Sequence, residues 1–206
     1  MLLSYAYFPP VSYVSLILKA GSVTIEDKET FVKQTYRNRF RIYSANGPLS
    51  LSVPVHEGSF RKVPVNRVRI DYTKRWQPVH LGAIESSYRS APYFEYYIDT
   101  VRSIYDQKTE FLASLDLATL QIVMDALKIN VPVNLTGEYV PEGPDEDFRY
   151  LISPKKTGIS ENSIFEPYPQ PFSGRYGFIA DLSILDLMFC MGPGSLGILE
   201  KTVVRT

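Results

Sequence analysis

Residues 39–55 read RFRIYSANGPLSLSVPV, and this stretch decides the fold of the N-terminal half of the chain. Apolar and polar side chains alternate on both sides of Asn46-Gly47, which is the pattern of two strands that each bury one face. Asn and Gly tolerate the positive φ that a tight hairpin turn requires. The sequence therefore predicts a β-hairpin, with Phe40 and Ile42 facing the core.

Two further strands are predicted around this hairpin. Val23 to Glu26 is a short candidate, and Val63 to Ile70 alternates apolar and polar side chains with an imperfect period. Both lie in the first half of the chain. We therefore expect the sheet to form from that half.

Three apolar stripes with helical spacing follow the strands. The first is expected between a cap at Thr73 and a stop at Pro92, and it consists of Trp76, His80, Ile84 and Tyr88. The second consists of Phe94, Tyr97, Ile98, Val101, Ile104 and Tyr105. The third, behind Asp116, consists of Leu117, Leu120, Val123, Met124 and Leu127. This order predicts an α+β fold, with an antiparallel or mixed sheet from the N-terminal half packed against C-terminal helices.

The C-terminal third is less regular. Residues 131–173 are dense in Pro, Gly and acids, which predicts a long irregular segment. Asp181 is expected to cap a final helix that ends at Gly192-Pro193-Gly194. With 206 residues, of which 45% are hydrophobic, the chain is expected to form one domain over residues 1–206.

The composition excludes several classes of protein. One cysteine allows no internal disulfide, and one cysteine with two histidines cannot supply a usual structural zinc site. The N-terminus lacks a basic first segment and is interrupted by Pro9-Pro10, so it does not read as a signal peptide. No apolar run reaches the roughly 20 residues of a membrane span. We expect a cytoplasmic protein without a membrane span.

The charge is polarised along the chain although the formal net charge is zero. Residues 28–89 hold twelve Lys or Arg against four acids, a balance of +8, whereas residues 95–149 hold eleven acids against four bases, a balance of −7. These charges either neutralise each other across the fold or leave a positive surface that attracts anions. A nucleic-acid binder is more basic overall, so no nucleic-acid partner is expected. A phosphorylated small molecule fits this balance better.

The densest basic segment is residues 33–39, KQTYRNR. If it is extended, Lys33, Arg37 and Arg39 share one face and could grip a phosphate or carboxylate, because a guanidinium fork binds such groups bidentately. The alternative is a solvated strand edge, where charge blocks unwanted pairing. In the binding hypothesis Tyr36 and Asn38 orient the ligand.

His80 is the residue that favours catalysis. A histidine titrates near neutrality and serves as a general base. Trp76, one helical turn earlier, is placed with the substrate-binding residues. The alternative is a histidine whose hydrogen bonds are satisfied within a half-buried helix face. Cys190 lies among apolar residues and is expected to be a small buried side chain and not a nucleophile.

With these segments in view, the chain resembles the WbqC-like family, and in particular its shorter branch from Bacteroidetes. The resemblance covers nearly the whole chain. Its motifs are Tyr7-Phe8-Pro9-Pro10 with Tyr13, residues 31–39, Asn46-Gly47 leading into residues 51–55, Trp76 with His80 leading to Ala91-Pro92-Tyr93-Phe94, Asp147-Phe148-Arg149 before Pro154-Lys155, and residues 181–189 with Met191-Gly192-Pro193. Two departures are Tyr5-Ala6, where many members have Gln-Pro, and Cys190, where a polar residue is expected.

The resemblance implies a setting in O-antigen or capsule biosynthesis but no particular reaction. From it we derive two hypotheses. In the first, a cytoplasmic transferase modifies a nucleotide- or lipid-linked amino sugar, with His80 as general base. In the second, a non-catalytic protein of the same machinery binds an anionic ligand or a partner. The expected ligand is a nucleotide sugar, an acyl-CoA or a phosphate, and the sequence specifies neither a cofactor nor an oligomeric state.

Overall fold

The computed structural model describes residues 1–56, 62–141, 146–154 and 163–205, and it has the expected α+β composition. Its helices are α1 Val11–Lys19, α2 Trp76–Tyr88, α3 Phe94–Asp106, α4 Leu112–Leu127, α5 Ser173–Tyr176, α6 Ile184–Met191 and α7 Ser195–Lys201. Its strands are β1 Leu2–Leu3, β2 Val23–Ile25, β3 Arg39–Ser44, β4 Gly47–Ser52 and β5 Val133–Leu135. Lys155, which belongs to one motif of the resemblance, lies outside the described residues.

The predicted hairpin is confirmed. β3 and β4 pair antiparallel, with Phe40 opposite Leu51 and Ser44 opposite Gly47. The turn therefore consists of Ala45 and Asn46, one residue earlier than the Asn-Gly pair predicts. Gly47 carries the positive φ of 94°, which a residue with a side chain rarely adopts.

A second, parallel sheet has the strand order β1-β2-β5. Leu2 pairs with Thr24, and Val23 pairs with Val133. β2 was predicted, whereas β5 lies inside the segment expected to be irregular. This sheet joins the chain's N-terminus to residues more than a hundred positions away. The carboxyl ends of all three strands therefore meet at one edge.

The strand predicted from Val63 to Ile70 is wrong. Residues Val65–Arg67 form a 3₁₀ turn, and among the described residues only isolated bridges flank it, between Pro64 and Thr30, between Arg69 and Phe111, and between Ile70 and Val55. Pro64 supplies no N–H for a ladder, which explains why no continuous strand forms. Val65, Val68 and Ile70 are nevertheless buried in the core, and Val63 packs against it while partly exposed.

The helical stripes are confirmed, but two of the predicted helix starts are wrong. α2 begins at Trp76 without a side-chain cap from Thr73, and Pro78 is tolerated because it lies in the first turn. α4 begins at Leu112, so that Asp116 lies inside the helix and not in front of it. Its carboxyl is therefore carried into the core.

Asp181 does not cap the helix that follows it. Its Oδ1 atom accepts a hydrogen bond of 2.9 Å from the backbone N–H of Ser12, in the first turn of α1. α6 is capped by the Ser183 hydroxyl, which accepts from the N–H of Leu185. Asp181 has a φ of 53°, a left-handed conformation that Asp tolerates better than most residues. The hydrogen bond between Asp181 and Ser12 thus connects two distant parts of the chain.

The core lies between the hairpin, the parallel sheet and the helices. Phe8, Ile17, Phe40, Ile84 and Leu187 are all completely buried in it. Within the described ranges, no helix is both long enough and apolar enough to cross a membrane.

Candidate functional site

The outer face of the hairpin carries two arginines. Phe40 and Ile42 of β3 are fully buried, so the alternation of the strand turns Arg39 and Arg41 to the opposite face, where both are partly exposed. Ser52 lies directly across from Arg39 and Ser50 from Arg41. Cross-strand partners share a face, so two exposed serines flank the two guanidinium groups.

The two guanidinium groups are incompletely satisfied. Arg39 donates to the carbonyl oxygen of Gln34, and Arg41 donates to the carbonyl oxygen of Asp181 over 3.4 Å. The Nε atom of each arginine is buried without a hydrogen-bond partner among the described residues. Within the same residues neither arginine forms a salt bridge with a carboxylate. Among the described residues, two positive charges therefore lie together without a carboxylate in salt-bridge contact, although the charge of Arg41 acts on the buried carboxyl of Asp181.

Tyr36 is a buried residue that interacts with Arg41. Burial raises the pKa of Tyr36 to about 12, and the charge of Asp181 contributes, although hydrogen bonding to Arg41 acts in the opposite sense. Burial also lowers the pKa of Arg39, and the nearby charge of Arg41 adds to that effect. Tyr36, Arg39 and Arg41 therefore lie within electrostatic reach of one another. We call these three residues the arginine face.

The rest of the predicted basic segment is arranged differently. Residues 33–38 form turns and bends, and Gln34 has a positive φ of 59°, so the extended conformation that would align Lys33, Arg37 and Arg39 is wrong. Lys33 is exposed. The Asn38 amide donates to the carbonyl oxygen of Val53 over 3.3 Å, and its Oδ1 atom is buried without a partner among the described residues.

Arg37 forms a buried ion pair and does not reach the arginine face. Its Nε atom lies 2.8 Å from Oε1 of Glu29 and its terminal nitrogen 2.5 Å from Oε2, and both residues are at most 5% exposed. The same nitrogen donates to the Ser4 hydroxyl over 2.8 Å. Arg37 is thus occupied by internal partners. The residue beside Arg39 is Arg41, whereas Arg37 was predicted in that position.

The pair belongs to a charged network at the carboxyl ends of β1, β2 and β5. Glu26 follows β2 and is fully buried, and Arg149 pairs with it over 3.3 Å and with Asp147 over 2.5 Å. The Arg149 guanidinium lies 5.7 Å and 5.6 Å from the ring centres of Tyr139 and Tyr150. Carboxyl ends of parallel strands are frequent ligand sites. Here, however, the charges mainly satisfy one another.

His80 is enclosed by aromatic rings. It is 2% exposed, and its ring centre lies 5.2 Å from that of Trp76 and 5.7 Å from that of Phe40. Nδ1 is 3.3 Å from the Tyr7 hydroxyl, and Nε2 is 3.2 Å from the carbonyl oxygen of Ser52. A carbonyl only accepts, so Nε2 carries the proton. Both nitrogens therefore have internal partners.

His80 and the two arginines of β3 lie on opposite sides of that strand. Phe40, which packs on the imidazole, faces the core, whereas its neighbours Arg39 and Arg41 face the other side of β3. Trp76 is also buried, at 5% exposure, and its indole N–H has no partner among the described residues. The catalytic role of His80 stays a prediction, and these surroundings do not favour it.

We expect the burial of His80 to make stability depend on pH. Burial lowers its pKa from 6.5 to about 4, so the unfolded chain binds a proton that the folded chain does not as the pH falls between these values. Stability is therefore lost as the pH falls through this window, by about 3 kcal/mol in total.

Urea denaturation between pH 7 and pH 4 measures this effect. Burial also raises the pKa of the carboxyls of Asp116, Asp181 and Asp186, so the comparison is with His80→Gln, which should lose about 3 kcal/mol less over the range. His56→Gln is the control because His56 is exposed. Identical pH profiles for the parent and His80→Gln would contradict the buried, neutral histidine.

The chain is thus an α+β protein with a basic outer hairpin face and a charged sheet edge, and its sequence is similar to known proteins. The sequence profile of the WbqC-like protein family matches residues 5–161, and the chain belongs to that family. It is 25% identical over 214 residues to the uncharacterized protein Rv1507c of Mycobacterium tuberculosis, with 90% of each chain covered. No solved structure matches the chain.

Proposed function

We propose that the protein binds a phosphate-bearing small molecule on the arginine face. The observation that carries this proposal is the pair of neighbouring guanidinium groups, Arg39 and Arg41, which have no carboxylate in salt-bridge contact among the described residues and which each keep an unpartnered Nε atom. Buried polar groups without partners are rare in folded proteins and point to a bound water or ion.

An anion is the partner that this geometry supports best. Two like charges held together repel each other, and a bound anion converts that repulsion into attraction. The Nε and terminal nitrogens of arginine form a fork that matches two oxygens of a phosphate. The exposed hydroxyls of Ser50 and Ser52, on the same face, add neutral donors. A pyrophosphate group would fit two forks better than a single carboxylate.

The family resemblance supplies the setting. It implies bacterial surface-polysaccharide biosynthesis, where sugars are carried on nucleotides or lipids through phosphate or pyrophosphate links. We therefore propose a nucleotide- or lipid-linked sugar as the ligand. A transferase would need a proton-transfer group beside that ligand, and the enclosed ring of His80 is not placed for it, so binding is the function that we propose.

The proposal predicts that conservative changes on the arginine face weaken binding. Isothermal titration calorimetry with pyrophosphate and with UDP-glucose should show at least a tenfold higher Kd for Arg39→Lys and for Arg41→Lys, since an ammonium cannot reproduce the fork. A loss of 1.5–3 kcal/mol, roughly the strength of a hydrogen bond to a charged group, corresponds to about 10- to 150-fold.

Arg89→Lys is the matched control, because the Arg89 side chain is 75% exposed and the residue directly follows α2, outside the hairpin residues. Its Kd should equal that of the parent. Equal affinity of the parent and both hairpin variants would contradict the proposal, and so would an equal loss in Arg89→Lys, which would indicate attraction by overall charge only.

A further inference from the structure

A small surface cavity lies where α3, the end of α4 and the turn in front of α7 meet. Its volume is about 150 Å³, and its apolar walls are Ala126, Leu127, Pro193 and Leu196. Sites for drug-sized ligands have volumes of roughly 300–1,000 Å³, so this cavity admits a group of about one ring. It shares no residue with the arginine face.

Gly192 allows the turn to form one wall of this cavity. It has a positive φ of 52°, and a Cβ atom at this position would collide with the ring of Tyr93, which precedes α3. A residue with a side chain could therefore not bring Pro193 this close to α3 without displacing the Tyr93 ring. The shape of the cavity is thus built into the backbone of the turn.

Two tyrosines of α3 form a corner of the cavity. The ring centres of Tyr96 and Tyr97 are 4.7 Å apart, and the two rings are inclined at 82°. Tyr96 is 76% exposed, the largest exposed fraction of any large apolar side chain among the described residues. Aromatic rings attract one another in offset-stacked and edge-to-face arrangements. A corner with one open ring therefore suits a ligand that is itself a flat ring.

The Tyr97 hydroxyl supplies a hydrogen-bond donor at this corner. Tyr97 is 3% exposed, and its hydroxyl has no hydrogen-bond partner among the described residues, yet it is not one of the fully enclosed polar atoms. The small exposed part of Tyr97 therefore includes the hydroxyl. Burial raises the pKa of Tyr97, and the nearby Tyr96 and Tyr93 add to that effect, so the hydroxyl stays protonated and can donate.

Lys128 is the charged residue that lines the cavity. It follows α4 in a left-handed conformation with a φ of 56°, and it is exposed. Within the described part of the chain it forms no ion pair. A lysine has a flexible four-carbon stem, so its ammonium can turn towards a group held at the corner. No described residue that lines the cavity is acidic, so the charge of this site is positive.

We propose that this cavity binds a small carboxylate that has an aromatic body. The ring would stack on Tyr96 between the apolar walls, and the carboxylate would accept hydrogen bonds from the Lys128 ammonium and the Tyr97 hydroxyl. A free sugar suits the cavity less well, because several of its hydroxyls would face apolar walls without partners. This inference is independent of anion binding on the arginine face.

Titration of the full chain with benzoate, followed in two-dimensional amide NMR spectra, tests the site. We expect a Kd of about 1 mM, in the range of a one-ring ligand, with the shifts centred on the amides of Lys128 and Leu196. Benzamide has the same shape without the charge, and acetate has the charge without the ring. Each should bind at least about fivefold more weakly than benzoate. Equal affinity for benzamide and benzoate overturns the proposal, as does a lack of shifts at these amides.

Two variants remove the groups that the proposal uses. Tyr96→Ala should raise the Kd for benzoate about tenfold because it removes the stacking ring, and Lys128→Gln should raise it about fivefold because it removes the charge. Both side chains are exposed, so the variants should fold as the parent does. An unchanged Kd in either variant overturns the proposal.

Lys62→Gln is the matched control. Lys62 is also exposed and also has a left-handed backbone, with a φ of 44°, but it does not line the cavity. Its Kd for benzoate should equal that of the parent. A loss in Lys62→Gln equal to the loss in Lys128→Gln would indicate attraction by overall charge and would overturn the proposal.

Competition separates this cavity from the arginine face, since a guanidinium group can also bind a carboxylate. A saturating concentration of pyrophosphate should leave the Kd for benzoate unchanged, because the two sites share no residue. Displacement of benzoate by pyrophosphate would place benzoate on the arginine face. That result would overturn this inference and would leave the proposed anion site intact.

Discussion

Replacing Glu29 with Ala is expected to lower the free energy of unfolding by about 3–5 kcal/mol, because it leaves the buried guanidinium of Arg37 without its counter-charge. The side chains of Arg37 and Glu29 are only 6% and 3% exposed, so water cannot replace the lost carboxylate. For a chain of this length, the loss corresponds to a fall in Tm of roughly 6–20 °C. Urea denaturation at pH 7 measures it.

A double replacement separates the cost of an unpaired charge from the cost of lost packing. The variant that combines Glu29→Leu with Arg37→Met removes both charges and should lose much less than either single variant, since apolar pairs often replace buried ion pairs at little cost. Asp99→Ala is the surface control, because the Asp99 side chain is 85% exposed and its pair with Arg102 should contribute less than about 1 kcal/mol. A loss in Glu29→Ala as small as that in Asp99→Ala would contradict the buried pair.

Replacing Asp186 with Ala is expected to cost a similar amount for a different reason. The Asp186 carboxyl is fully buried and accepts hydrogen bonds from the Tyr88 hydroxyl at 2.8 Å, the Tyr168 hydroxyl at 2.7 Å and the Gln170 amide at 2.7 Å. Without it, three buried donors lose their acceptor. At about 1–3 kcal/mol for each unsatisfied group, partly relieved by rearrangement, we expect a loss of about 3–5 kcal/mol.

Removing a single tyrosine hydroxyl tests how that loss is divided among the three hydrogen bonds to Asp186. Tyr168→Phe removes one donor and its bond together, so it should cost only about 1 kcal/mol, while Asp186→Ala costs several times as much. Thermal unfolding of both variants against the parent gives the ratio. Equal losses would show that Asp186 is not the shared acceptor on which α6, α2 and residues 168–170 converge.

The hairpin and the long helices could be predicted because each carries a repeated pattern. Phe40 and Ile42 alternate with Arg39 and Arg41, and this period of two places two side chains in the core and two outside. α2, α3 and α4 repeat their apolar residues over three or more turns. Patterns of this length fix both the type of element and its buried face.

The parallel sheet could not be predicted, because its strands are too short to show a period. β1 has two residues, and β2 and β5 have three each. What defines them is pairing between Val23 and Val133, which are distant in sequence. Local patterns contain no information on such contacts. The position of Glu26 and Arg149 at the carboxyl ends of these strands could not be predicted for the same reason.

Whether the position of a site residue could be predicted depended on the backbone conformation around it. Arg39 lies on a regular strand, so its exposed face followed from the sequence, and Arg41 follows by the same alternation although it was not singled out. Arg37 lies in a turn, where alternation does not hold, and its side chain points to Glu29. For His80 the sequence left two interpretations open, and the described contacts match the satisfied histidine within a helix face.

Asp116 was interpreted as a residue in front of a helix because Asp is common at that position. The helix in fact begins at Leu112, and Phe111, Leu112 and Leu115 continue the apolar character before Asp116. An acid inside an apolar stripe indicates a buried carboxyl, whereas an acid in front of a stripe indicates a helix cap. Reading the stripe back to its first apolar residue would have identified a buried carboxyl.

A crystal structure of the full chain grown with pyrophosphate tests the central claim most directly. The account predicts density for the anion between Arg39 and Arg41, with phosphate oxygens within 2.7–3.2 Å of both guanidinium groups and of at least one Nε atom. Density for pyrophosphate elsewhere, or an arginine face on which Arg39 and Arg41 keep only the protein partners described above at a saturating concentration, would contradict it.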